Sequence, residues 1–348
     1  MKLFTCQHCG QSLYFENTGC ERCGHRLGYI PDIMTLSALE PQDDAWRTLT
    51  DPPRTMRFCA NETHGACNWL VDANGDQTFC EACRHNQTIP DLSDPVNLRH
   101  WQRIEGAKHR LFYSLMRLGL AFPDRTQDAE NGLGFAFLAD MPSEPRVITG
   151  HDSGLITIAL AEADDAERER RRTDMHEPYR SLLGHFRHEI GHYIWDRLIR
   201  EGGKLTGCRR LFGDDQSDYG EALQRYYRDG PPLDWQDRFV SAYASSHPWE
   251  DWAETWAHYL HIIDTLETAR AFGLTVRPQA VQDPSLNAAV RFDPYGKVTI
   301  NTIIEAWLPL TFAMNSLNRS MGNADLYPFV LSQPVIEKLR FVHRVLRR

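Results

Sequence analysis

The chain has 348 residues, 42% of them hydrophobic and 24% charged, with a net charge of -9 at neutral pH. That length allows two or three domains with at least one large core, and the composition excludes fibrous, collagen-like and wholly disordered classes. No apolar run reaches the roughly 20 residues of a membrane helix, and Met1-Lys2-Leu3-Phe4-Thr5-Cys6 has no apolar signal segment, so a cytoplasmic protein without membrane contact is expected.

Eight of the nine cysteines fall between Cys6 and Cys83. In a reducing compartment such clustering favours zinc thiolates over disulfides. Cys6-x2-Cys9 and Cys20-x2-Cys23 form two knuckles, each offering two sulfurs to one tetrahedral ion, with Gly10 and Gly24 placed for the tight turns. Cys59, Cys67, Cys80 and Cys83 form a second set, in which only the last pair has knuckle spacing and His64 is a spare ligand. Spacing leaves open which sulfurs share which ion. Residues 1-30 and 55-95 therefore read as two small zinc modules, joined by a polar, Pro-punctuated linker over 31-54. The first hundred residues carry 8 Lys and Arg against 13 Asp and Glu, and each four-thiolate site adds about two more negative charges. That acidity disfavours nucleic acid as a partner.

A larger domain is expected over 96-348. Trp101, Ile104, Leu111, Leu115 and Leu118 recur at helical spacing and predict an amphipathic helix. Gly132 to Leu138 and Val147 to Leu160 are β-rich, with a turn at Gly150 to Gly154. They read as a small sheet whose last strand, 154-160, is a candidate edge for an extended substrate. The charged run Glu167 to Arg172 reads as a solvated face. Helices are predicted over 177-200, 217-229, 235-246, 249-271, 300-320 and 334-346, the first opened by Pro178 and ended by Gly202-Gly203.

His188-Glu189-Ile190-Gly191-His192 is an HExxH motif. Histidines at i and i+4 project from one helix face, so both imidazoles can reach one metal while Glu189 reaches a water beside it. Composition alone yields this pattern in roughly one such chain in 25, so context decides. Here Leu182, Leu183, Phe186, Ile190, Ile194 and Leu198 supply the buried face of a helix, and Gly191 in its interior signals close packing of another element. A catalytic zinc needs a third protein ligand and an open position. Glu250 and Glu254, one turn apart in a segment rich in Trp and Ala, can divide the work of ligand and histidine support. Asp196 could support His192 or pair with Arg200. His247, His258 and His261 are competing histidines, and Cys208 offers a third ligand of the deformylase-like kind.

HEIGH followed 58 positions later by Glu250-Asp251-Trp252-Ala253-Glu254 resembles the Glu-zincin metallopeptidases. More narrowly, the chain resembles bacterial zinc-binding metallopeptidases with an N-terminal zinc ribbon. The stretches that carry this likeness are Cys6 to Gly24, Cys80 to Arg84, Ile89 to Leu92, Gly154 to Ile158, Phe186 to Trp195 and Ser241 to Leu260. The resemblance implies an α+β fold, with a zincin-like, mostly helical catalytic domain and a small β-sheet behind the ribbon modules. It implies one catalytic and two structural zinc ions, His188, His192 and Glu250 as ligands, and Glu254 in support of a histidine. It also implies Glu189 as general base and Tyr243, seven residues before Glu250, as donor to the oxyanion. The expected substrate is a protein or peptide, with the ribbons recruiting it or a protein partner. A ribbon-based interaction or nucleic-acid-binding protein, with a non-proteolytic HExxH site, is the rival reading.

Overall fold

In the computed structural model the first regular element is a hairpin of β1 (Phe4–Thr5) and β2 (Ser12–Leu13), built around the first cysteine knuckle. The structure describes residues 1–141, 145–174, 181–280 and 283–347. Five antiparallel strands follow in sequence order: β3 (Arg26–Ile30), β4 (Thr35–Gln42), β5 (Ala45–Thr48), β6 (Thr55–Phe58) and β7 (Leu70–Asp72). A parallel bridge between Tyr29 and Trp69 brings the last strand back to the first. Residues 31–54, expected as a linker, thus supply β4 and β5 at the middle of this sheet. Pro31, Asp32, Asp43 and Asp44 mark its turns, where Met34 and Asp43 adopt positive φ of 49° and 50°, and the residues between them are strand. Ile30, Leu39, Met56 and Leu70 form the core beneath it.

After β8 (Asn86–Thr88) comes α1 (Pro95–Arg117), whose first turn is capped by the Asp94 carboxylate accepting from the Val96 amide. The expected apolar stripe is its buried face: Trp101, Ile104, Leu111 and Leu115 are all buried. Strands β9 (Gly134–Leu138), β10 (Gly150–Asp152) and β11 (Leu155–Ala159) complete a mixed sheet in the order β10, β11, β9, β8. The strand expected at the edge, 154–160, instead lies inside the sheet, parallel to β9 and antiparallel to β10. Its β-branched, mostly apolar sequence Leu155-Ile156-Thr157-Ile158-Ala159 suits an inner strand, and the short β10 takes the edge. These elements belong to a first compact unit, 1–167, and α2 (Asp165–Asp174) contains the charged run.

The second unit, 168–348, is mostly helical. Helix α3 (Leu182–Ile194) carries the HExxH motif, is capped by Ser181, and continues as a π-helical turn, Trp195–Arg200, ending before Gly202-Gly203 as expected. The expected helix start at 177, with Pro178, lies outside the described residues. Next come α4 (Leu205–Phe212), which the periodicity did not reveal, α5 (Tyr219–Asp229) and α6 (Pro248–Ala271). A small hairpin of β12 (Thr275–Val276) and β13 (Ala288–Ala289) precedes α7 (Ile300–Ser320) and α8 (Gln333–Leu346). The expected helix over 235–246 is replaced by two 3-10 turns, Trp235–Asp237 and Tyr243–Ser245. The Ser241 hydroxyl accepts from the Ala244 amide, a local bond that competes with helix propagation. Among the described residues no helix is long and apolar enough to cross a membrane.

Helices α3 and α6 pack closely. A Cβ on Gly191 would stand 3.1 Å from the Ala253 Cα and 3.0 Å from Trp256 Cδ1, and the Trp252 indole donates to the Gly191 carbonyl at 2.9 Å. This close approach is what brings residues 188–192 and 250–254 face to face.

Candidate metal centre

On α3, one helical turn sets the His188 and His192 rings side by side, with their Nε2 atoms 3.2 Å apart. From the first turn of α6, Glu250 Oε2 reaches to 2.9 Å from His188 Nε2 and 3.5 Å from His192 Nε2. Ligands at about 2.05 Å from one tetrahedral zinc stand roughly 3.3 Å from each other, so the three donor atoms have the spacing of one face of such a site. The donor set, two imidazoles and a carboxylate, is also that of a catalytic zinc, with a position left open. Glu254, one turn beyond Glu250, accepts from His188 Nδ1 at 2.7 Å and from the Ser241 hydroxyl at 2.6 Å. A proton held on Nδ1 leaves the Nε2 lone pair to face the cation position.

The electrostatics follow from this packing. Burial would raise the Glu250 carboxyl, but the charges and hydrogen bonds of His192 and His188 hold it well below the ordinary carboxylate range. Burial likewise opposes Glu254, which its bond to His188 keeps ionised down to about 2. Two carboxylates against a buried imidazole pull His188 well above its usual value despite desolvation.

The phenol of Tyr243 enters from the 3-10 turn before α6, its ring 5.9 Å from that of His188. Burial first, then the charge of Glu250, push its ionisation well above that of free tyrosine, so it is an O–H donor at neutral pH. Tyr226 packs edge-on against it at 5.8 Å, and Tyr259, on α6, shares its hydroxyl with His343 at 2.9 Å. Glu189 is buried beside His188 on the same turn, and its charge bears on both Tyr243 and Tyr219. The partner the structure gives Asp196 is Arg200 at 2.7 Å, the second of the two roles open to it. His247 caps α6, accepting from the Trp249 amide, while His258 binds the Tyr327 hydroxyl and His261 meets Arg187. Cys208 is buried on α4, its thiol pushed up to about 12 by desolvation, and it is outside the cluster of donors.

Three contributors escaped the sequence reading. Tyr219, at the start of α5, donates to Glu250 Oε1 at 2.7 Å; Ser241 holds Glu254; and the Trp249 ring lies 3.9 Å from that of His192. They come from separate elements, and no spacing pattern marks them.

In the first unit the sulfurs sort into two groups, Cys6, Cys9, Cys20, Cys23 and Cys59, Cys67, Cys80, Cys83. Cys6 and Cys23 stand 3.7 Å apart, Cys9 and Cys20 3.6 Å, and Cys67 and Cys80 3.7 Å. Sulfurs bound at 2.3 Å to one tetrahedral zinc would be about 3.8 Å apart, so both groups fit an ion. Gly10 and Gly24, at φ of 76° and 75°, close the knuckles by donating to the carbonyls of Cys6 and Cys20. The second group is fully buried, and His109 of α1 places Nε2 at 3.3 Å from Cys67 Sγ and 3.6 Å from Cys83 Sγ. His64, the spare ligand, is exposed and packs on Trp101 instead.

Residues 97–345 match the family described as putative zinc-binding metallo-peptidase, and residues 3–94 match a zinc-ribbon domain. The chain belongs to that metallopeptidase family. Uncharacterized proteins of Mycobacterium bovis and Mycobacterium tuberculosis are 45% identical to it over 346 residues, covering 99% of this chain and 95% of theirs. No solved structure matches the chain.

Proposed function

We propose that the protein is a zinc-dependent peptidase of the Glu-zincin type, with one catalytic and two structural ions. The observation that carries this reading is the convergence of His188 Nε2, His192 Nε2 and Glu250 Oε2 on one point, with Glu254 fixing the tautomer of His188. Zinc held there supplies the charge that makes water nucleophilic at neutral pH and polarises a carbonyl. Glu189 takes the proton of the attacking water and returns it to the leaving amine. Tyr243 donates its O–H to the oxygen on which negative charge develops. In the ribbons, thiolates hold zinc as structural ions. No disulfide joins any of the nine cysteines, and a cytoplasmic location, where thiols stay reduced, belongs to the same proposal. The first ribbon reaches the surface at Cys9 and Cys23, and recruitment of a protein substrate or partner through it belongs to the same proposal.

The test is Glu189→Gln, which keeps shape and removes the base. Zinc content should be unchanged while cleavage of a denatured protein substrate falls by about 10²- to 10⁴-fold. Undiminished cleavage would overturn the assignment.

A further inference from the structure

The two oxygens of Glu250 face different partners. Oε2 points at both imidazoles, whereas Oε1 accepts the Tyr219 hydroxyl at 2.7 Å. A carboxylate beside zinc can bind through one oxygen or close on the ion with both. Closing would fill the position that hydrolysis needs vacant.

We infer that Tyr219 is a positioning residue that engages Oε1 and so keeps Glu250 a one-oxygen ligand, leaving the remaining position to water and substrate. This rests on the peptidase reading and adds to it the coordination mode of the third ligand. The phenol is suited to the task. A phenolic O–H that donates to a carboxylate makes a strong, directional bond. Glu250 itself is only 1% exposed, so solvent offers Oε1 no ready replacement.

The surroundings hold Tyr219 in place. Asp218 caps α5 by accepting from the Glu221 amide, which sets the first turn where Tyr219 sits. Its ring meets the edge of His247 at 5.2 Å and of Trp249 at 5.7 Å. His247 Nε2 lies 3.1 Å from both the hydroxyl and the carbonyl of Ser217, and Trp249 in turn packs on His192. Ser217 and Tyr219 thereby fasten the start of α5 to the start of α6, and of the two it is Tyr219 that bonds Glu250.

The experiment uses the full-length protein with zinc retained in the ribbons and cobalt(II) exchanged into the HExxH site. In the wild type, cobalt X-ray absorption should show a single carboxylate oxygen and a four-coordinate ion. In Tyr219→Phe, which keeps the ring packing, one cobalt per chain should remain. Its visible absorption should weaken towards that of a five-coordinate ion as Glu250 closes with both oxygens. Glu250→Ala should lose the cobalt altogether. A two-oxygen carboxylate in the wild type, or an unchanged spectrum in Tyr219→Phe while Glu250→Ala loses the ion, would overturn the role of Tyr219 and leave the peptidase reading standing. Cobalt retained in Glu250→Ala would overturn both.

Discussion

Glu254 shows how much a single side chain away from the reacting atoms can decide. It accepts a hydrogen bond from His188 Nδ1 and is itself held by Ser241, so it sets which nitrogen of the ring faces the cation. Removing it in Glu254→Ala should weaken zinc at this site by about 10- to 100-fold, read by competition with a chelator, while the ribbon zinc stays. A different residue governs acid stability in the first unit. Burial opposes the Asp124 carboxylate, but the Thr126 hydroxyl, the amides of Thr126 and Gln127, and Arg84 lower it from 3.8 to about 2. Its folded value lies below its unfolded one, so the stabilisation is complete above pH 4 and is lost as pH falls towards 2. The contribution is about 2 kcal/mol. Asp124→Asn should therefore lower stability at pH 7 and flatten the unfolding profile between pH 4 and 2.

Between elements, the contact of α3 with α6 is the one on which the centre depends. Gly191→Ala adds a methyl 3.1 Å from a backbone carbon of Ala253 and 3.0 Å from the fully buried Trp256, and neither neighbour has room to give way. Overpacking of this kind costs about 1 to 3 kcal/mol, more than the helix propensity that alanine returns. Denaturant unfolding should show the loss, and zinc affinity should fall with it as the two helices separate. The elements legible in the sequence were those with a long apolar period. Helices α5, α6, α7 and α8 fall within a few residues of their expected bounds, and α1 carries the expected apolar stripe. What stayed hidden has local causes. β4 and β5 carry only a few apolar residues, Leu36, Leu39 and Trp46 among them, between turn signals, and Ser241 diverts the backbone of 235–246 from an apparent helical pattern. In the centre itself, the i and i+4 spacing on each helix exposed His188, His192, Glu250 and Glu254. Tyr219 and Ser241 were invisible because tertiary packing alone brings them there.

At the scale of the whole chain, the two cysteine sites differ in what they hold together. The first keeps two half-exposed sulfurs and closes a short hairpin, whereas the second is buried against α1 with His109 beside its sulfurs. Cys80→Ser should remove one zinc and unfold much of residues 1–167, seen as rapid proteolysis of that segment, because the ion substitutes for core that the small sheet lacks. In the proposed centre two imidazoles and a carboxylate from a separate helix share one zinc, apart from the two thiolate sites. Elemental analysis of purified wild type and Glu250→Ala measures this directly. Three zinc ions per chain are expected in the first and two in the second, both proteins remaining folded. Three in both, or two in the wild type with no loss on substitution, would contradict it.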